Sequence, residues 1–140
     1  MKKATWSVSV DSRWLSKAFD PIMATHNDLG KTGEDIAAEY LLNKGHRILA
    51  RNYRYAKAEV DIISVYSDTI IFTEVKTRST DKFGYPEETV NAKKKEMLRE
   101  AMDHYLVKNN IKEEARFDII SIVINPQGTD VHHIEDAFYH

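Results

Sequence analysis

The sequence predicts an α/β fold in which helices cover a central mixed β-sheet. Two observations predict it. Segments rich in β-branched and aromatic residues, at 46–55, 58–66, 70–77 and 116–124, have the character of strands. Stretches with apolar residues at helical spacing, at 33–44 and 86–108, alternate with them. The order is one helix, three strands, one helix and two strands, with no repeat, low-complexity tract or interior linker. A mixed sheet flanked by helices accommodates that order. At 140 residues the chain suits a single domain with a sizeable core.

Residues 1–22 are expected to lie outside that domain, which would span 23–140. They carry Lys2, Lys3, Arg13 and Lys17 but no continuous apolar run of secretory type. Trp6, Val8, Val10, Trp14, Leu15 and Phe19 show no sustained period. Either these residues precede a start at Met23, or they form a flexible or docking tail.

The first helix is expected over Gly33–Lys44. Ile36, Ala37, Tyr40 and Leu41 make one apolar stripe, Thr32 is the expected N-cap, and Gly45 is a good residue just past the C-terminus. Glu34 would then sit in the first turn. There it either interacts with the helix dipole or points an acid at a site beyond the helix end. His46–Tyr55 is a strand with basic residues on its exposed positions. Ala58–Tyr66 and Ile70–Thr77 follow as a hairpin, with Ser67-Asp68 as the turn although the Asn-Gly signal is missing. Residues 78–85 are a loop. Pro86 suits a first helical position, and the helix runs to about Lys108, ended by Asn109-Asn110. Residues 116–124 form a central strand, Asn125-Pro-Gln-Gly128 a turn, and Val131–Glu135 a last short strand.

Composition narrows the function classes. There is no cysteine, which excludes disulfides, thiolate-bound zinc and a cysteine nucleophile, and suits a cytoplasmic protein. No apolar run approaches the roughly 20 residues that span a bilayer. The net charge of −2 argues mildly against avid nonspecific binding to DNA. The distribution matters more. Lys44, Arg47, Arg51, Arg54 and Lys57 fall in a stretch without an acid, and Lys93, Lys94 and Lys95 form a second cluster. Such runs are either solvated faces or phosphate contacts.

The chemistry concentrates in residues 59–76. Strand alternation puts Glu59 and Asp61 on one face of the first hairpin strand, and Glu74 and Lys76 on one face of the second. Phosphodiester cleavage needs an activated water, a neutralised phosphate and a stabilised leaving oxygen, and a carboxylate-held Mg²⁺ or Mn²⁺ supplies several of these. Magnesium usually takes one or two protein carboxylates. Asp61 and Glu74 meet that requirement, the Val75 carbonyl is a further oxygen, and Glu59 could act directly or through water. Lys76 would orient water or stabilise developing negative charge. Glu-x-Lys alone arises by chance in roughly half of chains this long, and a fixed Asp lowers that to a few per cent. The alternative is a surface Glu74–Lys76 ion pair worth ~0–1 kcal/mol.

Other chemistries fit less well. His132 and His133 are adjacent and would face opposite ways on a strand, which disfavours a shared zinc. Gly30-x-x-Gly33 lacks the remainder of a phosphate loop. Asp118 would pair with Arg116 or support the site. Phe83 and Tyr85, beside Arg78 and Lys82, would stack on bases or anchor their loop.

Asp61, Glu74-Val75-Lys76 and an acid on the preceding helix resemble the superfamily of restriction endonucleases and archaeal Holliday junction resolvases. More closely, the chain resembles the YraN family of small bacterial proteins, predicted endonucleases related to those resolvases. The resemblance runs from about Leu29 to the C-terminus. It rests on Gly30-Lys-Thr-Gly33-Glu34, Ala37-Ala38, Arg51-Asn52-Tyr53-Arg54, Glu59-Val60-Asp61, Phe72-Thr-Glu74-Val75-Lys76-Thr77-Arg78, Phe83-Gly84, Arg116-Phe117-Asp118 and Asp136-Ala137-Phe138. Ala58 stands where the family usually has Gly. The resemblance implies a restriction-endonuclease-like core in the order αβββαβ, metal ligands at Asp61 and Glu74, a catalytic Lys76, and Glu34 as the helix acid.

Together these point to a Mg²⁺- or Mn²⁺-dependent endonuclease acting on DNA, branched or damaged DNA included. Arg47, Arg51, Arg54, Arg78, Lys93, Lys94 and Lys95 would contact the backbone. A homodimer would suit a two-fold junction. The competing expectation is a noncatalytic nucleic-acid-binding or partner-binding module that keeps the fold.

Overall fold

A computed structural model of the protein describes residues 5–10, 26–79 and 91–139. In chain order these form β1 (Thr5–Val10), α1 (His26–Asn43), β2 (Arg47–Tyr55), β3 (Ala58–Tyr66), β4 (Thr69–Arg78), α2 (Ala92–Lys108), β5 (Glu114–Asn125) and β6 (Gly128–Ile134). A 3-10 turn at Ala137–Tyr139 follows. They build one six-stranded sheet in the order β1-β6-β5-β4-β3-β2. Neighbours are antiparallel except β4 and β5, whose parallel pairing requires the crossover through α2. After β1 the order is the αβββαβ of a restriction-endonuclease-like core, closed by β6. Of residues 1–22, Thr5–Val10 are described, as the edge strand β1 on β6. Their Trp-Ser-Val-Ser-Val run alternates apolar and polar residues, a strand signal over a window too short to show a longer period.

The sheet has a packed core on each face. On one, α1 sets Ile36, Ala37, Tyr40 and Leu41 against Ile62, Ile120, Ile122, Ile124 and Val131. On the other, Leu98, Ala101 and Met102 of α2 cover Val60, Ile63, Ile70, Phe72, Phe117, Ile119 and Ile134. β4 and β5 are central and covered on both sides, which is why Ile70–Phe72 and Phe117–Ile124 are near-continuous apolar runs.

Local signals explain most boundaries. Gly45, at φ 99°, ends α1: its N–H reaches the Leu42 carbonyl and the His46 N–H reaches Leu41. Ser67 and Asp68 take φ 49° and 63°, the conformation a two-residue hairpin turn demands, without glycine. The Gln127 N–H donates to the Asn125 side chain in the turn before β6.

Two helix starts differ from expectation. α1 begins at His26, so Thr32 is internal and Glu34 lies well past the first turn; Glu34 is not a dipole partner. Gly30 and Gly33 suggest a boundary by propensity, but Gly33 serves close packing instead, a tertiary override. α2 begins after Asn91, whose side chain accepts the Lys94 N–H at 2.9 Å, rather than at Pro86. Pro86, Phe83 and Tyr85 lie outside the described residues.

Candidate functional site

The β3–β4 ladder ends at the Ile62–Thr73 pair. Asp61 and Glu74 are the next residues on the two strands. Here Asp61 Oδ2 accepts the Val75 N–H at 2.7 Å, so a carboxylate satisfies a backbone donor where the strands part. Strict alternation would put Val60 and Ile62 on one face, yet Val60 packs on the α2 side, Ile62 on the α1 side and Ile63 on the α2 side again. The irregularity falls at Asp61. Its neighbour across the strand gap, Asn52, lies between the Arg51–Ile62 and Tyr53–Val60 pairs and has φ 55°. The expectation that Glu59 and Asp61 share a face by parity therefore does not hold as derived. A distortion of the ladder, not a regular strand, brings both to one cleft.

That cleft has a volume of ≈ 470 Å³ and is lined by Asp61, Glu74, Val75 and Lys76 from the sheet, Lys94, Met97 and Leu98 from α2, and Lys57, Ala58 and Glu59 at the start of β3. Glu74 is nearly buried. Its Oε1 lies 2.6 Å from Lys94 Nζ and 3.8 Å from Lys76 Nζ, and its Oε2 is buried without a hydrogen-bond partner. Glu34 Oε1 is buried and unpartnered as well. Glu34 reaches this region because α1 docks closely on β4. A Cβ at Gly33 would overlap the Thr77 side chain, so only glycine permits the approach.

The carboxylates are crowded. Burial pushes Asp61 up to about 7, against the Val75 N–H that favours its charged form, and Glu34, Glu74 and Glu59 raise it further. Burial also raises Glu34, partly countered by Arg51, with Glu59 and Asp35 adding to the rise. Burial lowers Lys76; Glu74 and Asp61 oppose that, and Lys94 reinforces it. The cleft thus sets Glu59, Asp61 and Glu74 against Lys57, Lys76 and Lys94, with Glu34 adding to the crowding around Asp61.

This arrangement fits a hard divalent cation. Buried, unpartnered carboxylate oxygens are costly unless something cationic reaches them. Among the described residues no three His, Cys, Asp or Glu side chains converge closely enough to enclose an ion. An ion here would rest on Asp61 and Glu74 and complete its shell with water, as magnesium does and structural zinc does not.

The profile of the uncharacterised protein family UPF0102 matches residues 33–122. A UPF0102 protein of Christiangramia forsetii is 51% identical over 118 residues, covering 84% of this chain and 99% of its own length. The chain belongs to the UPF0102 family. This is the YraN family that the sequence motifs resemble. A Flavobacterium psychrophilum UPF0102 protein is 44% identical over the same shares of both chains. The solved structure of Pyrococcus furiosus SfsA in complex with Ca²⁺ is similar at 16% identity and a TM-score of 0.34, over 76% of this chain and 62% of that one. A likeness that slight carries no argument.

In this UPF0102 chain Glu59, Asp61, Glu74 and Lys76 line one cleft and Glu34 lies near enough to act on Asp61, while the expected phosphate contacts reach the cleft only in part. Lys94 is in the cleft, on Glu74, a partnership that a gap of twenty positions hides in the sequence. Lys93 and Lys95 share the first turn of α2, which contains no acidic residue and where the helix dipole disfavours cations. Arg51 pairs with Asp35 at 2.9 Å and Arg54 with Glu59 at 2.6 Å, so both are engaged by the protein's own acids. Arg47 lies opposite Val65, four residues along β3 from Asp61, or ~13 Å at ~3.3 Å per residue. It is remote from the cleft. Arg78 is half-buried at the end of β4. Val75 contributes backbone only; its side chain packs on the α1-side core.

A second polar cluster is structural. Asp118 is fully buried and accepts from Arg116 Nε (2.8 Å), Arg116 Nη2 (2.9 Å), His133 Nε2 (2.7 Å) and the Asp136 N–H (3.1 Å). With Nε2 donating, His133 Nδ1 accepts from the Tyr40 hydroxyl at 3.2 Å. Hydrogen bonds from His133 and Arg116 hold Asp118 below the usual carboxylate range although burial opposes them. Phe138 stacks on Phe117 at 4.2 Å. The closing Asp136-Ala137-Phe138 motif is therefore a clasp on β5.

Proposed function

We propose that the protein is a metal-dependent nuclease that hydrolyses a phosphodiester bond of DNA, branched or damaged DNA included. One observation carries this: Asp61, Glu74 and Lys76 share a single cleft in which Glu74 Oε2 is buried and unsatisfied, as is Glu34 Oε1 nearby. A surface ion pair would need no such burial. Mg²⁺ or Mn²⁺ would rest on Asp61 and Glu74, with the Val75 carbonyl and Glu59 as further oxygens and Glu34 adding negative field. When bound, such an ion supplies an activated water and neutralises phosphate charge.

The chain's own groups do the rest. Asp61 holds its carboxylate in place through the Val75 N–H. Lys76, half-buried and lowered by that burial, is set to hold a proton beside the scissile phosphate or to stabilise charge on it. Lys94 is a second cation on the opposite wall, and Lys57, Lys93 and Lys95 extend the basic rim towards the phosphate backbone. Two copies would suit a two-fold junction, and sedimentation with four-way DNA tests that.

The Lys94–Glu74 pair favours a second reading, a noncatalytic nucleic-acid-binding module, because it neutralises Glu74 without any metal. A cleavage assay on linear, flapped and four-way DNA with Mg²⁺ or Mn²⁺ separates the two. The nuclease requires metal-dependent cleavage that Glu74→Ala and Lys76→Ala abolish. Activity without metal, or indifferent to both substitutions, ends the mechanism. Salt-sensitive binding without cleavage of any substrate selects the module.

A further inference from the structure

A second cavity, of ≈ 230 Å³, adjoins the cleft. It is lined by Tyr55, Ala56, Lys57, Ala58, Met97 and Glu100, and shares Lys57, Ala58 and Met97 with the cleft. Most of its lining is apolar carbon, unlike the charged cleft beside it. Tyr55 forms one wall at the end of β2. Its ring is braced by His104 of α2, stacked at 4.1 Å and 24°, and His104 is in turn hydrogen-bonded to the Tyr53 hydroxyl. Tyr53 packs edge-on against Tyr105 at 5.1 Å. The exposed Tyr55 is thus held in place by a train of rings, a device that lone surface aromatics lack.

We infer that this cavity is a subsite for one unpaired nucleobase of a strand whose phosphate occupies the adjoining cleft. The inference rests on the nuclease assignment for the cleft and names its substrate class: single-stranded, frayed or flapped nucleic acid rather than intact duplex. The cavity is large enough for one base ring. Tyr55 and Met97 give flat and soft apolar contact, Glu100 can accept from an exocyclic amino group, and Lys57 stands between base and phosphate. Stacking of this kind tolerates any base, since every base offers a π-face. A paired base cannot enter a pocket of this kind without leaving its stack.

The test is binding of fluorescein-labelled DNA by the full chain, read as anisotropy in EDTA at low salt so that cleavage plays no part. The probes are a blunt duplex, the same duplex with a short overhang, and that overhang made abasic. The overhang should tighten binding, and the abasic overhang should lose the gain. Tyr55→Leu should weaken overhang binding by about 5- to 100-fold, the range for one stacked base, and Tyr55→Phe should retain it. An RNA overhang of the same sequence identifies which sugar the strand carries. Equal affinity for the intact and abasic overhangs, or a folded Tyr55→Leu chain that binds like the wild type, overturns the subsite. Metal-dependent cleavage is scored separately. Overhang preference without any cleavage removes the nuclease and leaves the subsite, cleavage indifferent to the overhang removes the subsite alone, and no binding of any probe removes both.

Discussion

Lys94 Nζ lies 2.6 Å from Glu74 Oε1, whereas Lys76, two positions from Glu74 on the same strand, stands 3.8 Å away. The tighter partner comes from α2, across the cleft. Lys94 thereby sets a cation on Glu74 Oε1 while Oε2 has no hydrogen-bond partner. Removing it leaves a nearly buried carboxylate without its close counter-charge.

Lys94→Met should therefore destabilise the metal-free protein by about 1–3 kcal/mol. That is less than the 3–5 kcal/mol for breaking a fully buried pair, because Lys94 is about one-third exposed and partly screened. Mn²⁺ should restore most of the loss by supplying the missing charge. Thermal melts in EDTA and in Mn²⁺ measure both. An equal loss in the two conditions would mean that Glu74 does not receive the ion.

Gly33 and Thr77 make a sharper packing prediction. Elsewhere in a helix, Gly→Ala gains up to ~1 kcal/mol. Here the added methyl would overlap the Thr77 side chain, and overpacking of this kind costs about 1–3 kcal/mol. Gly33→Ala should lower the melting temperature and shift Glu34 away from Asp61. Thr77→Gly in the same chain should recover part of the stability. A Gly33→Ala chain more stable than wild type would show that α1 does not need to sit this close to β4.

Much of this was legible in the residues. The β3 bounds are those the residue pattern predicts, and Gly45 and Asn109-Asn110 mark helix ends because capping chemistry is local. Asp61, Glu74 and Lys76 were visible as a pattern on adjacent strands. The start of α1 was not, because Gly33 is a packing residue and its reason, Thr77, is on β4. Nor was Lys94's role, which depends on how the crossover helix lands on the sheet. The parity argument for Glu59 and Asp61 grouped two residues that do line one cleft, but by a wrong route, since the strand is distorted at Asp61 and alternation fails there. Arg51 and Arg54 look like phosphate ligands in sequence, yet their nearest acids, Asp35 and Glu59, are supplied by the fold.

Glu34→Gln separates a functional acid from a structural one. Burial raises Glu34 and one of its oxygens has no partner, so its charge is a strain on the metal-free fold. Neutralising it should leave stability in EDTA unchanged or raise it by up to ~1 kcal/mol, the scale of a partly screened charge. Cleavage, or Mn²⁺ affinity read by calorimetry, should fall by tenfold or so, about 1.4 kcal/mol. A residue present only for stability would do the reverse, and a loss of melting temperature with unchanged metal affinity would place Glu34 outside the site.

The pH dependence of stability should expose two opposed titrations. Asp61 is raised from 3.8 to about 7, chiefly by burial. Its folded form holds a proton that the unfolded chain releases, so its contribution is full below 3.8 and is lost as pH rises through 7. Glu34, also raised, acts in the same direction. His46 is lowered from 6.5 to about 4, first by burial and then by His133 and Lys44. It sits neutral beside Ser64 Oγ at 2.9 Å and stacked on Tyr66. Its contribution is full above 6.5 and is lost as pH falls through 4. Between these limits the two slopes oppose each other, each at most about 1.4 kcal/mol per pH unit. Denaturant melts in EDTA should find the wild type changing little from pH 4 to 6.5, with Glu34 leaving a small net fall. Asp61→Asn, whose side-chain carbonyl can still accept the Val75 N–H, should gain stability as pH rises through that range. His46→Asn should lose it. Identical slopes in all three chains would mean that neither group carries its shifted proton in the fold. Divalent metal should abolish the Asp61 contribution by holding that carboxylate ionised, so the same melts in Mn²⁺ should give the wild type the rising slope of Asp61→Asn.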